Sequence, residues 1–160
     1  MAIELLEWLA ATPLAAGLRR SALLYMFVNA SHILSIGLLL GAILPLDLRL
    51  MGFFPLVPLS VVGPFLSRAA AIGLTAAIVT GFCLFSVRPM EYAGNPAFLA
   101  KIGLLAVGVA NAAIVHARDS WRKAIAGVVV TASLRIAAMV SAAVWITALI
   151  AGRWIGFIQS

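Results

Sequence analysis

Residues 21–44 form a run of 24 positions without a single formal charge. As a helix, such a run covers about 36 Å, enough to cross the ~30 Å hydrocarbon core of a bilayer with some tilt. Three further apolar stretches, 69–87, 97–117 and 136–151, have comparable length. Only 10% of the 160 residues are charged, against about 25% in soluble domains, so the solvent for most of this chain is lipid. The expected fold class is all-α: an integral membrane four-helix bundle, occupying residues 1–160 as one transmembrane domain. Its spans are expected at about 21–44, 69–87, 97–117 and 136–151.

The charged and breaker residues mark the ends of these spans. Residues 2–10 read as a short amphipathic interfacial helix, with Trp8 suited to the membrane–water boundary and Pro13 stopping or bending it. Glu4 and Glu7 stand where a secretory signal would be positive, so residues 1–18 are not expected to be a signal peptide. Pro45, Asp47 and Arg49 are expected to end the first span, and residues 51–64, with three prolines, to form a loop near the interface. Residues 89–96 read as a polar turn, and Arg135 as the anchor that opens the fourth span. Gly37 with Gly41, and Ala77 with Gly81, have the small-xxx-small spacing that lets helices approach closely in lipid.

The net charge of +6 does not point to nucleic acid, because the basic residues are scattered at span ends, where Lys and Arg anchor helices and meet anionic headgroups. Four spans put both termini on one side. Arg19, Arg20, Arg88, Lys101 and Arg153 fall on that side, and Arg49, Arg68, Arg118, Arg122, Lys123 and Arg135 on the other. The excess of one basic residue favours termini outside the cytoplasm. Cys83 is the only cysteine, which excludes an intrachain disulfide and any cysteine-built zinc or iron–sulfur site within one chain. It reads as a packing residue. No paired carboxylates, phosphate-binding glycine loop or Ser–His–Asp set supports hydrolysis or nucleotide-driven work, and the methionines show no pairing suited to a copper relay.

Two histidines remain, both inside expected spans. An ionisable side chain at membrane depth costs several kcal/mol unless something compensates it. Neutral imidazole offers one lone pair, which suits haem iron without adding charge to the membrane interior. His32 and His116 are therefore candidate metal ligands, the rival reading for each being a hydrogen bond to a neighbouring helix. Tyr25, Asn29, His32 and Ile36 share one stripe of the first helix, so Asn29 or Ser35 could orient the His32 ring. Lys101, Leu105, Gly108, Ala112 and His116 share a face of the third, where Gly108 and Ala112 leave a trough that suits either a flat macrocycle or a packed helix. Arg49 and Lys101 are candidate partners for haem propionates or lipid headgroups. Asp47 and Arg49 are expected to form a local ion pair. By helical rise, His32 stands about 15 Å and His116 about 28 Å from the same membrane side. Either the expected boundaries are misplaced, or His32 ligates alone, or there are two sites.

The stretch Asn29-Ala-Ser-His32-Ile-Leu-Ser-Ile-Gly37, running on to Pro45-Leu-Asp-Leu-Arg49-Leu, resembles the first helix of the CopD/HemJ-like membrane proteins. Asn95-Pro-Ala-Phe-Leu-Ala-Lys101, continuing to Asn111 and His116, is similar to the third helix of the same group. The likeness is greatest to a bacterial four-helix family of unknown function within that group. It implies haem b, with His32 as ligand and Lys101 as a functional position, in a bacterial inner membrane. HemJ-type sequences carry a second histidine after the Arg-Leu pair, where this chain has Met51 and Gly52, and a Tyr-His pattern where it reads Val115-His116.

The expected function is thus that of a haem b-binding electron-transfer protein, passing electrons to or from a quinone or a partner subunit. Copper transport, a non-redox accessory subunit of a membrane complex and a HemJ-like protoporphyrinogen oxidase are the alternatives. Membrane lipids, a quinone, other membrane subunits or a second copy of the chain are the partners these readings imply, and none involves nucleic acid.

Overall fold

In a computed structural model that describes residues 1–158, the chain is helical almost throughout, and no strand occurs among the described residues. Two short helices, α1 (Ala2–Ala11) and α2 (Pro13–Arg20), precede α3 (Ala22–Met51) and α4 (Leu59–Val87). A one-turn α5 (Pro89–Ala93) leads into α6 (Pro96–Ala117), and α7 (Asp119–Ile125) into α8 (Ala132–Ile158). α3, α4, α6 and α8 are each long and apolar enough to cross a membrane, so the protein is a multi-pass membrane protein built as a four-helix bundle.

Three of these spans outrun the sequence-based boundaries. Pro45 does not end α3, which continues to Met51 with Asp47 and Arg49 inside it. α4 begins at Leu59 and contains Pro64, so only residues 52–58 remain of the expected loop. α8 begins at Ala132, which places Arg135 in its first turn, on the surface. Only α6 keeps its expected limits, to within a residue. One physical reason covers the first two differences. In lipid an open backbone finds no water to bond, so a helix tolerates an internal proline rather than unwinding.

Side chains and glycines set the helix ends. Gly52, at φ 111°, closes α3: its N–H donates to the Arg49 carbonyl and that of Phe53 to the Leu48 carbonyl. This is a Schellman cap, whose left-handed residue favours glycine. Asn95 opens α6, its Oδ1 accepting from the N–H groups of Ala97 and Phe98, with Pro96 in the first helical position. Near the terminal side of the bundle, Arg19 donates to the carbonyls of Ala10 (2.6 Å) and Val87 (3.2 Å), tying the N-terminal helices to the end of α4. α1 lies there with Ile3, Leu5 and Trp8 exposed, as a helix resting on an interface would.

α3 packs most extensively against α4 and α6 against α8, while α3 also lies along α8. The core sits towards one end. Buried residues of α3 begin at Ser35, and those of α6 are Gly108 and Val115, both in its second half. Leu46, Leu50, Leu59, Val115, Leu134 and Ala138 cluster there with Trp121 and Ala124 of α7. At the other end, residues 22–34 of α3 and 96–107 of α6 include no buried side chain. The bundle is therefore tight where α3 and α6 end and open where they begin.

At Gly73, α4 packs backbone to backbone on α3. A Cβ there would stand 2.6 Å from the Leu39 backbone nitrogen and 3.0 Å from the Ser35 carbonyl oxygen. Gly37 and Gly41, expected to be a packing pair, face open space, because that side of α3 turns away from its neighbours. Gly73→Ala is accordingly expected to destabilise the bundle by about 1–3 kcal/mol, the usual cost of overpacking, whereas Gly37→Ala is expected to be neutral. Thermal unfolding of the two variants in detergent micelles measures the difference.

Candidate functional site

The two histidines stand at different heights on the same partner helix. His32 Nδ1 lies 2.9 Å from Thr80 Oγ1, and His116 Nε2 lies 3.1 Å from Ser67 Oγ. Ser67 and Thr80 are thirteen positions apart on α4, about 20 Å along the axis. Two nitrogens on one metal ion lie only about 4 Å apart. The expected pairing of His32 with His116 on a single iron therefore does not occur.

His32 occupies the open half, half-buried between α3 and α4. The Thr80 hydroxyl donates its one proton to the Ala76 carbonyl at 2.6 Å, so towards His32 it presents lone pairs and accepts from Nδ1–H. This contact selects the tautomer with the proton on Nδ1 and the lone pair on Nε2. Nε2 has no hydrogen-bond partner among the described residues. The ring fits because α4 has no side chain at Gly81: a Cβ there would lie 3.0 Å from His32 Cε1. The Ala77/Gly81 pair thus receives an imidazole rather than a helix backbone.

His116 is bound at both nitrogens. Nδ1 donates to the Ala112 carbonyl at 2.8 Å, which leaves Nε2 to accept from the Ser67 hydroxyl. Trp121 packs on the ring at a centroid distance of 4.6 Å. In this arrangement His116 offers no free lone pair to a metal, and it holds α6, α4 and α7 together instead.

The other expected site residues divide in the same way. Lys101 lies in the open half, within electrostatic range of His32, with its amino group against α8 where Gly152 leaves room for it. Asn29 is exposed and makes no hydrogen bond to the ring among the described residues, so orienting His32 falls to Thr80. Ser35, the alternative, donates to its own helix at the Ser31 carbonyl. The Gly108 trough exists but is filled: a Cβ there would lie 2.9 Å from Trp145 Cζ2. The indole, not a macrocycle, occupies it. Arg49 donates to the carbonyls of Val57 (2.7 Å) and Pro55 (3.3 Å), clamping the α3–α4 loop. It forms no ion pair with Asp47, because the two side chains leave α3 in different directions.

Asp47 is the residue whose place the sequence concealed. It is 3% exposed, and it lines a cavity of about 20 Å³ together with Asn111, Ser141 and His116. Among the described residues its Oδ2 has no hydrogen-bond partner. Of the five acidic residues it alone lies within a long apolar helix; that was the available signal, obscured by reading Pro45 as the helix end.

A four-span membrane protein, with one imidazole nitrogen left free in the open half and a buried carboxyl in the tight half, is the class that these features define. Residues 6–158 match DUF6644, a family of unknown function, and the chain belongs to that family. No curated protein matches it, and no solved structure does.

The filled trough gives a direct test of this part of the bundle. Gly108→Ala is expected to destabilise the protein through the rigid indole, and Trp145→Phe, which removes the contacting atoms, to relieve part of the loss. A coupling of about 0.5–3 kcal/mol is expected between contacting residues, read from unfolding curves of the two single variants and the double variant.

Proposed function

We propose that this protein is a b-type haem protein of the bacterial inner membrane, in which His32 is the residue of its own helices that would hold the haem iron. The observation that carries the reading is the Thr80 contact, in which the hydroxyl accepts from Nδ1–H and so leaves the lone pair on Nε2, beside the open half of the bundle. An acceptor on the far nitrogen is the usual way a ligating histidine is oriented and made more basic. Lys101 supplies a positive charge near that ring for a propionate. A haem so held supplies a one-electron iron couple, whose potential burial and ligation set.

The chain's own part in this reading is to fix the imidazole through Thr80 and to supply the Lys101 ammonium from the neighbouring α6. The excess of one basic residue favours termini, and with them the His32 half, outside the cytoplasm. A quinone or a partner subunit is the electron partner this reading implies. Its support is the free nitrogen together with the resemblance of the His32 and Lys101 segments to the CopD/HemJ-like group.

The test is spectroscopic. Protein purified from cells supplied with haem precursor is expected to show a Soret band, with a sharp α band on reduction, both lost in His32→Ala. Thr80→Val, which removes the acceptor but keeps the shape, is expected to weaken haem retention about 10- to 100-fold, as loss of such supporting contacts does at other ligating histidines. His116→Ala should leave the spectrum unchanged. A well-folded, colourless preparation would end the haem reading, and copper bound in its place would favour transport.

A further inference from the structure

We propose that Asp47 is a reversible proton-binding site inside the membrane, reached from water by way of His116. The inference does not rest on the haem reading, since Asp47 lies in the opposite, tight half of the bundle. Three observations carry it. The side chain is 3% exposed. One of its oxygens is unpartnered among the described residues. Both belong to a cavity with room for about one water molecule, whose other polar walls are Asn111 and His116 from α6 and Ser141 from α8.

Charge decides the occupant. The cavity has neither Lys nor Arg in its lining. On α3, Arg49 is turned to the loop carbonyls. Arg68 of α4, Arg118 before α7, Asp119, Arg122 and Lys123 of α7, and Arg135 of α8 are all exposed. Asp119 is paired with Arg122, which holds its carboxyl below the usual range. An ionised carboxylate at Asp47 would have no counter-charge in surroundings that strengthen every unpaired charge. As the neutral acid, the same group gains an O–H donor for the cavity, whose lining includes the Ser141 hydroxyl. The asparagine is already committed, its Nδ2 donating to the Ala137 carbonyl of α8.

His116 is the connection outward. It lines the cavity yet is exposed, near the end of α6, and its Nε2 accepts only a hydroxyl proton. When the Asp47 O–H bond breaks, the proton passes to the cavity water. A proton from that water then forms the N–H bond at His116 Nε2, as Ser67 Oγ turns from donor to acceptor. The products at this stage are a carboxylate and an imidazolium, a pair with no net charge. Release of the imidazolium proton to bulk water leaves the Asp47 carboxylate ionised, and a proton returning by the same route restores the neutral acid.

Infrared difference spectroscopy of the protein in lipid nanodiscs reads this directly, because the other four acids, Glu4, Glu7, Glu91 and Asp119, are exposed. A carboxylic-acid carbonyl band is expected that bleaches as pH is raised, shifts in deuterium oxide and is absent from Asp47→Asn. Asp47→Glu keeps the acid and should move the band without removing it, a comparison that holds even if the asparagine variant folds poorly. His116→Gln is expected to keep the band but slow its exchange in deuterium oxide several-fold. A band that survives in Asp47→Asn, a carboxylate that stays ionised at every pH, or one that answers to added sodium rather than to pH overturns the proposal. Unaltered exchange in His116→Gln overturns the route through that residue.

Discussion

Where α4 crosses α3, Gly73 presents its bare backbone to Ser35 and Leu39, closer than any side chain would allow. Between membrane helices there is no hydrophobic gain to draw on, since lipid is as apolar as the helices themselves, and close backbone packing takes its place. This contact fixes α3 against α4 with Ser35, Leu39, Ala42 and Leu46 turned inward. Trp145, laid over Gly108, does the same for α6 and α8. The two fixed pairs meet along α3 and α8, and their largest shared cluster lies towards the end where α3 and α6 finish.

The uneven core gives the two polar sites their different characters. In the tight half, Asp47 is enclosed among Leu46, Leu50, Leu134 and Ala138, so its carboxyl meets other side chains and a small cavity rather than lipid. In the open half, His32 is held on one edge by Thr80 and is free on the other. The same residue type at His116, with both nitrogens engaged, becomes a tie between helices. Hydrogen-bond partners, rather than depth in the membrane, separate a possible ligand from a structural histidine.

Much of this was legible in the sequence. The uncharged runs announced four spans, and the isolated histidines drew attention to His32. Pro45 and Pro64 misled because breaker rules describe helices in water, where a freed carbonyl finds a new partner. In lipid the helix persists through them. Asp47 was overlooked for the same reason: a helix judged to end at Pro45 leaves the acid in a loop, beside Arg49. Asn95-Pro96 was legible as a segment, and its physical content proved to be a helix cap with two backbone N–H groups on one side chain.

Hydropathy and length thus determined, without any structure, that lipid is the solvent and that four helices cross it, because each span must satisfy its own backbone locally. Which faces meet is a different question, settled by contacts between residues far apart in the chain. Only the tertiary structure turned Gly37 and Gly41 outward and Gly73 inward, filled the Gly108 trough with an indole and parted the two histidines by the length of α4 between Ser67 and Thr80. Helix rotation and height are set by such packing, and a one-dimensional pattern of apolar residues in apolar surroundings carries almost no record of them.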